Sequence, residues 1–381
     1  MGKCSVTAMF CVAALTLLAL SGAEASNRAG NGRKFDVPAI FSFGDSTADA
    51  GTNTFLANPA FLANFTPYGQ TYFHRPTGRF TDGRLWIDFL AQEFGLPVMR
   101  AYLDPSFKDY TKGVDFASAG SGNFEATKTM LAAIFEGGTV VNTDEQIRQF
   151  RQVKASLIRT LGKTAAARLL ARSIYVFSTG SNDISWGYLL NATMQEIYTP
   201  DQFTTRIINS LYDSIQALYA EGAKKIVING LGPIGCLPGN VKSNNGSCVE
   251  PANNMTKLFN SKLPELQQRL TLKCPGSFII FTDKYDFVAN IIKNGSEHGF
   301  TKGSTACCGT GPFNGDVGGC GSVDANGTAL YNLCPKEKLG EYVFWDYAHP
   351  TEKLYHLVSG IYMNGGTKYM KPFNISQLAH C

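Results

Sequence analysis

Ser46 ends the run Phe41-Ser42-Phe43-Gly44-Asp45-Ser46, and Asp346 and His349 stand near the other end of the chain in Asp346-Tyr347-Ala348-His349-Pro350. Together these residue types can carry out nucleophilic acyl chemistry. A serine hydroxyl attacks poorly until a base takes its proton, and an imidazole base needs a third group to hold its tautomer and stabilise its cation. The spacing lets Asp346 reach Nδ1 of His349 from the same turn while Nε2 points at the serine. Acyl transfer also needs donors for the developing oxyanion, each worth about 3 kcal/mol. Ser118-Ala119-Gly120-Ser121-Gly122 is small enough for the Gly120 N–H to approach a substrate, and Gly180-Ser181-Asn182-Asp183 offers the Asn182 amide. Taken singly, each signal is weak. A Gly-rich loop is usually only a turn, and Asn-Asp is often a helix cap.

The elements that must position these residues are legible as alternating runs. Strands are expected at Ala39–Phe43, Val114–Ala117, Ile174–Ser178, Lys225–Asn229 and Phe278–Thr282, each short and apolar or β-branched. Amphipathic stretches lie between and after them at Leu85–Phe94, Thr143–Leu170, Phe203–Ala220, Asn253–Lys273, Tyr285–Lys293 and Thr351–Met363. In Phe203–Ala220 the apolar residues recur at three and four, as one helix face requires. Strands alternating with helices imply a parallel sheet covered on both faces, with the ligand site beyond the carboxyl ends of the strands. Gly44–Ser46, Ser118–Gly122 and Thr179–Asp183 all follow strands, so they share that rim. Lys302–Leu339 is Gly- and Cys-rich and irregular, and disulfides are expected to hold it.

Gly44-Asp45-Ser46, Gly120, Gly180-x-Asn182-Asp183 and Asp346-x-x-His349-Pro350 resemble the consensus blocks of the GDSL esterase/lipase family within the SGNH hydrolases. The segments Pro76–Arg84, Gly113–Gly120, Gly230–Cys236 and Ala306–Gly309 are similar to its plant-type branch, so the likeness runs from about Val37 to Gly366. The resemblance implies an α/β fold, a flavodoxin-like three-layer α/β/α sandwich around a five-stranded parallel sheet. It makes Ser46 the nucleophile, His349 the base and Asp346 its orienting partner. The Ser46 N–H, the Gly120 N–H and the Asn182 amide become the oxyanion hole, with no cofactor or metal. The chemistry implied is carboxylester hydrolysis through an acyl-enzyme. An acyltransferase using the same triad, or a non-catalytic storage or defence protein on this fold, are the alternatives. Three neighbours depart from the pattern: Thr47 where the family name expects Leu, Thr52 where Asn is frequent, and Asp115 where Asn is frequent. Independently, no G-x-S-x-G elbow occurs in the chain.

Composition sets the remaining bounds. Residues 1–25 read as a secretory signal peptide, with Lys3, an apolar Ser5–Leu20 and the Ala23-Glu24-Ala25 cleavage signal; residues 26–34 read as a flexible leader and 35–381 as one hydrolase domain. An extracellular, apoplastic or cell-wall location follows. No later stretch is apolar enough to span a bilayer. The 381-residue chain has a net charge of +4 with scattered basic residues, which excludes a nucleic-acid footprint but allows weak association with acidic cell-wall polymers. A small-molecule or lipid ester is the expected partner, and a monomer the expected state. Gly230-Leu231-Gly232-Pro233-Ile234-Gly235 matches a dinucleotide fingerprint, but Pro233 suits a turn rather than a helix start. Eight cysteines remain after the signal. Cys236 and Cys248 are expected to close a short loop, and Cys307, Cys308, Cys320 and Cys334 to form two bridges of open pairing. Cys274 and Cys381 are then left, joined or free. Sequons stand at Asn64, Asn191, Asn245, Asn254, Asn294, Asn326 and Asn374. Loops 54–75 and 124–142 carry enough Phe and Tyr to suggest an apolar substrate.

Overall fold

The computed structural model describes residues 35–381; the expected signal peptide and leader lie outside the described residues. Five parallel strands, β1 (Ile40–Gly44), β2 (Gly113–Asp115), β3 (Ile174–Ser178), β4 (Lys225–Ile228) and β5 (Phe278–Thr282), form the centre of the sheet in the order β2-β1-β3-β4-β5. A sixth strand, Met370–Lys371, joins the far edge of β5 and runs antiparallel to it. The five-strand expectation is therefore corrected by one edge strand, whose two residues are too few to show a period of two. Because β1 lies between β2 and β3, the chain reverses its direction of travel across the sheet at β1. That reversal opens a crevice at the carboxyl ends of the strands.

Successive strand residues point to opposite faces, and each face meets its own helical layer. Phe41 and Phe43 of β1, with Tyr175 and Phe177 of β3, pack beneath helices Thr143–Leu161, Pro200–Ala220 and Glu250–Lys273. Ile40, Ile174, Val176, Val227 and Ile280 pack against Trp86–Glu93, Glu352–Asn364 and Ile375–His380. The three layers of the expected sandwich are present. On the first face Phe150 lies edge-on to Phe41, Phe43, Phe116 and Tyr175 at centroid distances of 5.3, 5.9, 6.1 and 5.6 Å.

Boundaries differ from expectation where caps and glycines act. The helix expected at 203 starts at Pro200, because Thr199 and Gln202 exchange side-chain to backbone hydrogen bonds of 3.3 and 2.9 Å. The single run expected over Thr143–Leu170 is two helices, Thr143–Leu161 and Lys163–Arg172, divided at Gly162. Helix Glu125–Ile134 occupies part of what reads as a loop. The Gly-rich 230–235 segment ends in a single 3-10 turn, Ile234–Cys236, not in a long helix.

The Cys-rich segment forms two small sheets, Lys302–Ala306 beside Tyr342–Phe344 and Cys308–Gly309 beside Asn332–Leu333. Its bridges pair Cys307 with Cys334 and Cys308 with Cys320, while Cys236 joins Cys248. Cys274 is a buried free thiol, so it is not joined to Cys381. Of the sequons, Asn64, Asn245, Asn254, Asn294 and Asn326 are exposed, whereas Asn191 and Asn374 are half-buried and cap helices through Oδ1. Among the described residues, no helix is long and apolar enough to cross a membrane.

Phe150 touches four rings from two strands and the loop after β2. Removing it by Phe150→Ala is expected to lower unfolding free energy by about 3–5 kcal/mol. Chemical denaturation should show the midpoint falling at an unchanged slope.

Candidate active site

Gly44 ends β1 with φ +140°, and a Cβ there would lie 2.0 Å from the Ser178 carbonyl oxygen, so the approach of β1 to β3 demands glycine. The next residue, Asp45, donates its N–H to that same carbonyl at 3.0 Å, and its own carbonyl accepts from Ala48 and Asp49 at 3.0 Å. One helical turn results, with Ser46 on it. The Asp45 carboxylate fixes the turn by accepting from Thr47 N–H (3.0 Å), Thr47 Oγ1 (2.7 Å) and Ser181 Oγ (2.8 Å). From the helical layer, buried Gln146 accepts the Gly44 N–H at 2.8 Å and donates to the Gly44 carbonyl at 2.9 Å and Ser121 Oγ at 3.0 Å.

The histidine arrives on the loop between strand Tyr342–Phe344 and helix Glu352–Asn364. Trp345 donates its N–H to the His349 carbonyl at 2.7 Å, closing the loop, and the Thr351 hydroxyl caps the helix at Leu354. Asp346 Oδ1 accepts from the backbone N–H groups of Ala348 and His349, both at 2.9 Å, and lies 2.8 Å from His349 Nδ1. On the other side of the ring, Nε2 is 2.8 Å from Ser46 Oγ. The three residues expected from opposite ends of the chain thus share one hydrogen-bonded line.

Tyr68 is a fourth member that the motifs did not reveal. Its buried hydroxyl donates to Asp346 Oδ2 at 2.7 Å. Burial pushes the Asp346 carboxyl up, but His349, the Ala348 N–H and Tyr68 together outweigh it and hold the group below its ordinary range. Burial and then the neighbouring Asp346 charge push the Tyr68 phenol well up, so it remains a donor. Only the aromatic content of loop 54–75 pointed here, and that signal does not separate Tyr68 from its neighbours.

The donor candidates lie on the adjoining rim. Gly120 has φ +85°, and a Cβ there would meet the Phe61 ring at 2.9 Å. The preceding residue is clamped: Ala119 gives its N–H to Asp49 Oδ2 at 2.8 Å and takes the Asn53 amide on its carbonyl at 3.0 Å. Burial pushes the Asp49 carboxyl up to about 6 despite its backbone N–H partners. Among the described residues, the backbone N–H groups of Ser46 and Gly120 have no acceptor. Asn182 gives one amide hydrogen to the Ser121 carbonyl at 2.9 Å, leaving its second for a ligand. It precedes a wide helical turn, Asp183–Leu189, anchored where buried Asp183 accepts from Asn123 and Thr127. Asp115, the departure from the common Asn, accepts the Ala50 and Ala117 N–H groups and touches no member of the line. Among the described residues, no group of three or more His, Cys, Asp or Glu side chains could hold a metal ion. His298, His356 and His380 instead pack on Phe287, Phe89 and Phe35.

Residues 40–359 match the model of the GDSL-like lipase/acylhydrolase family. The chain belongs to that family. It is 34% identical to GDSL esterase/lipase 6 of Arabidopsis thaliana, with 90% of this chain and 91% of that protein covered. It is 33% identical to the GDSL lipase of Tanacetum cinerariifolium, over 89% of this chain and 87% of that one. The matched residues span Gly44–Ser46, the Cys-rich segment and the Asp346–His349 loop alike.

Tyr68→Phe removes one oxygen from this arrangement without changing its shape. It should lower kcat on a simple ester about tenfold, the order of one hydrogen bond to a charged group, with KM little altered. Without the phenol, Asp346 loses one of the donors that hold its carboxylate in line with the His349 ring. A variant whose kcat is unchanged would mark Tyr68 as packing only.

Proposed function

We propose that this chain is a secreted serine carboxylester hydrolase that acts through an acyl-enzyme on esters with an apolar acyl group. The observation that carries the reading is the line Asp346–His349–Ser46, with 2.8 Å at each junction. Ser46 Oγ bonds to the ester carbonyl carbon as His349 Nε2 takes its proton. The oxyanion receives the Ser46 and Gly120 N–H groups and the free hydrogen of the Asn182 amide. His349 then gives its proton to the alkoxy oxygen as the carbon–oxygen bond breaks, and the alcohol leaves. Water, deprotonated by the same histidine, attacks the acyl-enzyme and releases the acid.

Three disulfides among the described residues support an oxidising compartment and thus export. Residues 35–381 act as one hydrolase domain on this reading. The protein works as a monomer, and its mild positive charge favours weak association with acidic cell-wall polymers.

A fluorophosphonate probe should form an adduct on Ser46, and Ser46→Ala should lose both the adduct and more than about 10³-fold of the turnover of p-nitrophenyl butyrate. Full turnover in Ser46→Ala would overturn the assignment. Asn182→Ala should keep the adduct but lower kcat by about 10²–10³-fold, the effect of one oxyanion donor. In the wild type, activity should fall as pH drops, because a general base must be free of its proton to act. Asp346, held below its ordinary range, adds no second proton to that limb, so a one-proton slope is expected. A rate that stays flat through acid pH would rule out His349 as the base.

A further inference from the structure

We propose that Phe61, Phe135 and Trp186 form the wall that receives the acyl chain, and that they select esters of apolar acids longer than acetate. This inference rests on the hydrolase reading above. The three rings come from separate segments: Phe61 from the loop after β1, Phe135 from the end of helix Glu125–Ile134, and Trp186 from the turn Asp183–Leu189. Their centroids lie 4.7 Å (Phe61–Phe135), 5.9 Å (Phe61–Trp186) and 5.7 Å (Phe135–Trp186) apart. All three are half-buried, unlike the rings of the sheet core.

The chemistry decides which half of an ester would meet them. His349 Nε2 has to reach both Ser46 Oγ and the leaving oxygen, so the alcohol departs on the histidine side. The rings there are Phe80, at 4.9 Å from the imidazole, and Tyr347, at 5.9 Å. The carbonyl oxygen turns toward Gly120 and Asn182. The remaining substituent, the acyl chain, then runs out past those donors and away from His349. Phe61 is the ring against Gly120, since a Cβ on that glycine would lie 2.9 Å from it. Trp186 stands four residues after Asn182 on the same turn. Gly120 thus has Phe61 against it, and the turn that follows Asn182 carries Trp186. Leu62 and Ile134, the sequence neighbours of Phe61 and Phe135, are apolar and 37% and 41% exposed. Such a surface gains from each added methylene until the chain outgrows it.

The test holds the alcohol constant and varies the acid. The full-length protein and its Phe61→Ala and Trp186→Ala variants are compared on p-nitrophenyl acetate, butyrate, octanoate and palmitate, with methyl and p-nitrophenyl butyrate as the alcohol control. The expected result is a fall of about tenfold or more in the octanoate-to-acetate ratio of kcat/KM, with the methyl-to-p-nitrophenyl ratio unmoved. If either alanine variant loses acetate turnover altogether, Phe61→Leu and Trp186→Phe are read by the same ratio. An unchanged octanoate-to-acetate ratio, or a change that follows the alcohol instead, overturns the assignment. Failure of the hydrolase reading itself looks different: the wild type would turn over none of these esters, and Ser46 would take no fluorophosphonate.

Discussion

Asp346 is a carboxylate with no exposure to water, and the site is arranged around keeping it charged there. An isolated buried anion costs several kcal/mol and would be protonated instead. Here two backbone N–H groups, a phenol and an imidazole supply what solvent would have supplied. Each of these donors must itself be held. The Trp345 indole packs edge-on against Tyr68 at 6.0 Å, and its carbonyl accepts the Cys308 N–H at 2.8 Å. The two cystines of the irregular segment lie in the same hydrophobic cluster as Tyr68, Phe80 and Trp345. A Cys-rich segment that reads as irregular is therefore a buttress for the charge behind the histidine.

The serine end is held by a different means. Gly44, Gly120 and Asn182 sit at the ends of, or just beyond, three neighbouring strands. The sheet fixes their spacing because β1 is bonded on both sides, to β2 and to β3. Gln146 reaches down from a helix to tie the first of these segments to the second, and Ser181 ties the third to Asp45. Oxyanion donors act only if they are already in place when charge develops. Strand ends joined by side-chain hydrogen bonds meet that condition better than free loops would.

Ser46, Gly120, Asn182, Asp346 and His349 were legible because each sits in a short local pattern next to a strand or helix start. The five parallel strands were legible for a related reason: they are buried on both faces and read as unbroken apolar runs. Tyr68 and Gln146 were not, since their partners lie 278 and 102 residues away and nothing local marks them. The edge strand Met370–Lys371 and the split at Gly162 escaped because two residues carry no periodicity and one glycine in a long amphipathic run is compatible with either outcome. The cysteine pairing was open for want of distance information, which only the fold supplies.

Thr47 shows how a departure from a pattern can be absorbed. An aliphatic side chain at that position would leave the Ser178 hydroxyl with one polar neighbour fewer. In this chain the Thr47 hydroxyl lies 2.7 Å from Asp45 Oδ1 and 2.7 Å from Ser178 Oγ. Ser178 Oγ in turn accepts from Asn229 Nδ2 at 2.8 Å, and Asn229 Oδ1 accepts from Thr282, Lys284 and Tyr362 at 3.0, 3.2 and 2.7 Å. Burial pushes the Lys284 ammonium down to about 8, while the Asp45 charge pulls the other way. The turn that presents Ser46 is thereby wired to the ends of β3, β4 and β5 through side chains as well as backbone. A polar residue after Ser46 is consistent with the same turn geometry because its hydroxyl has acceptors and donors waiting, and a buried polar group is tolerated only on that condition.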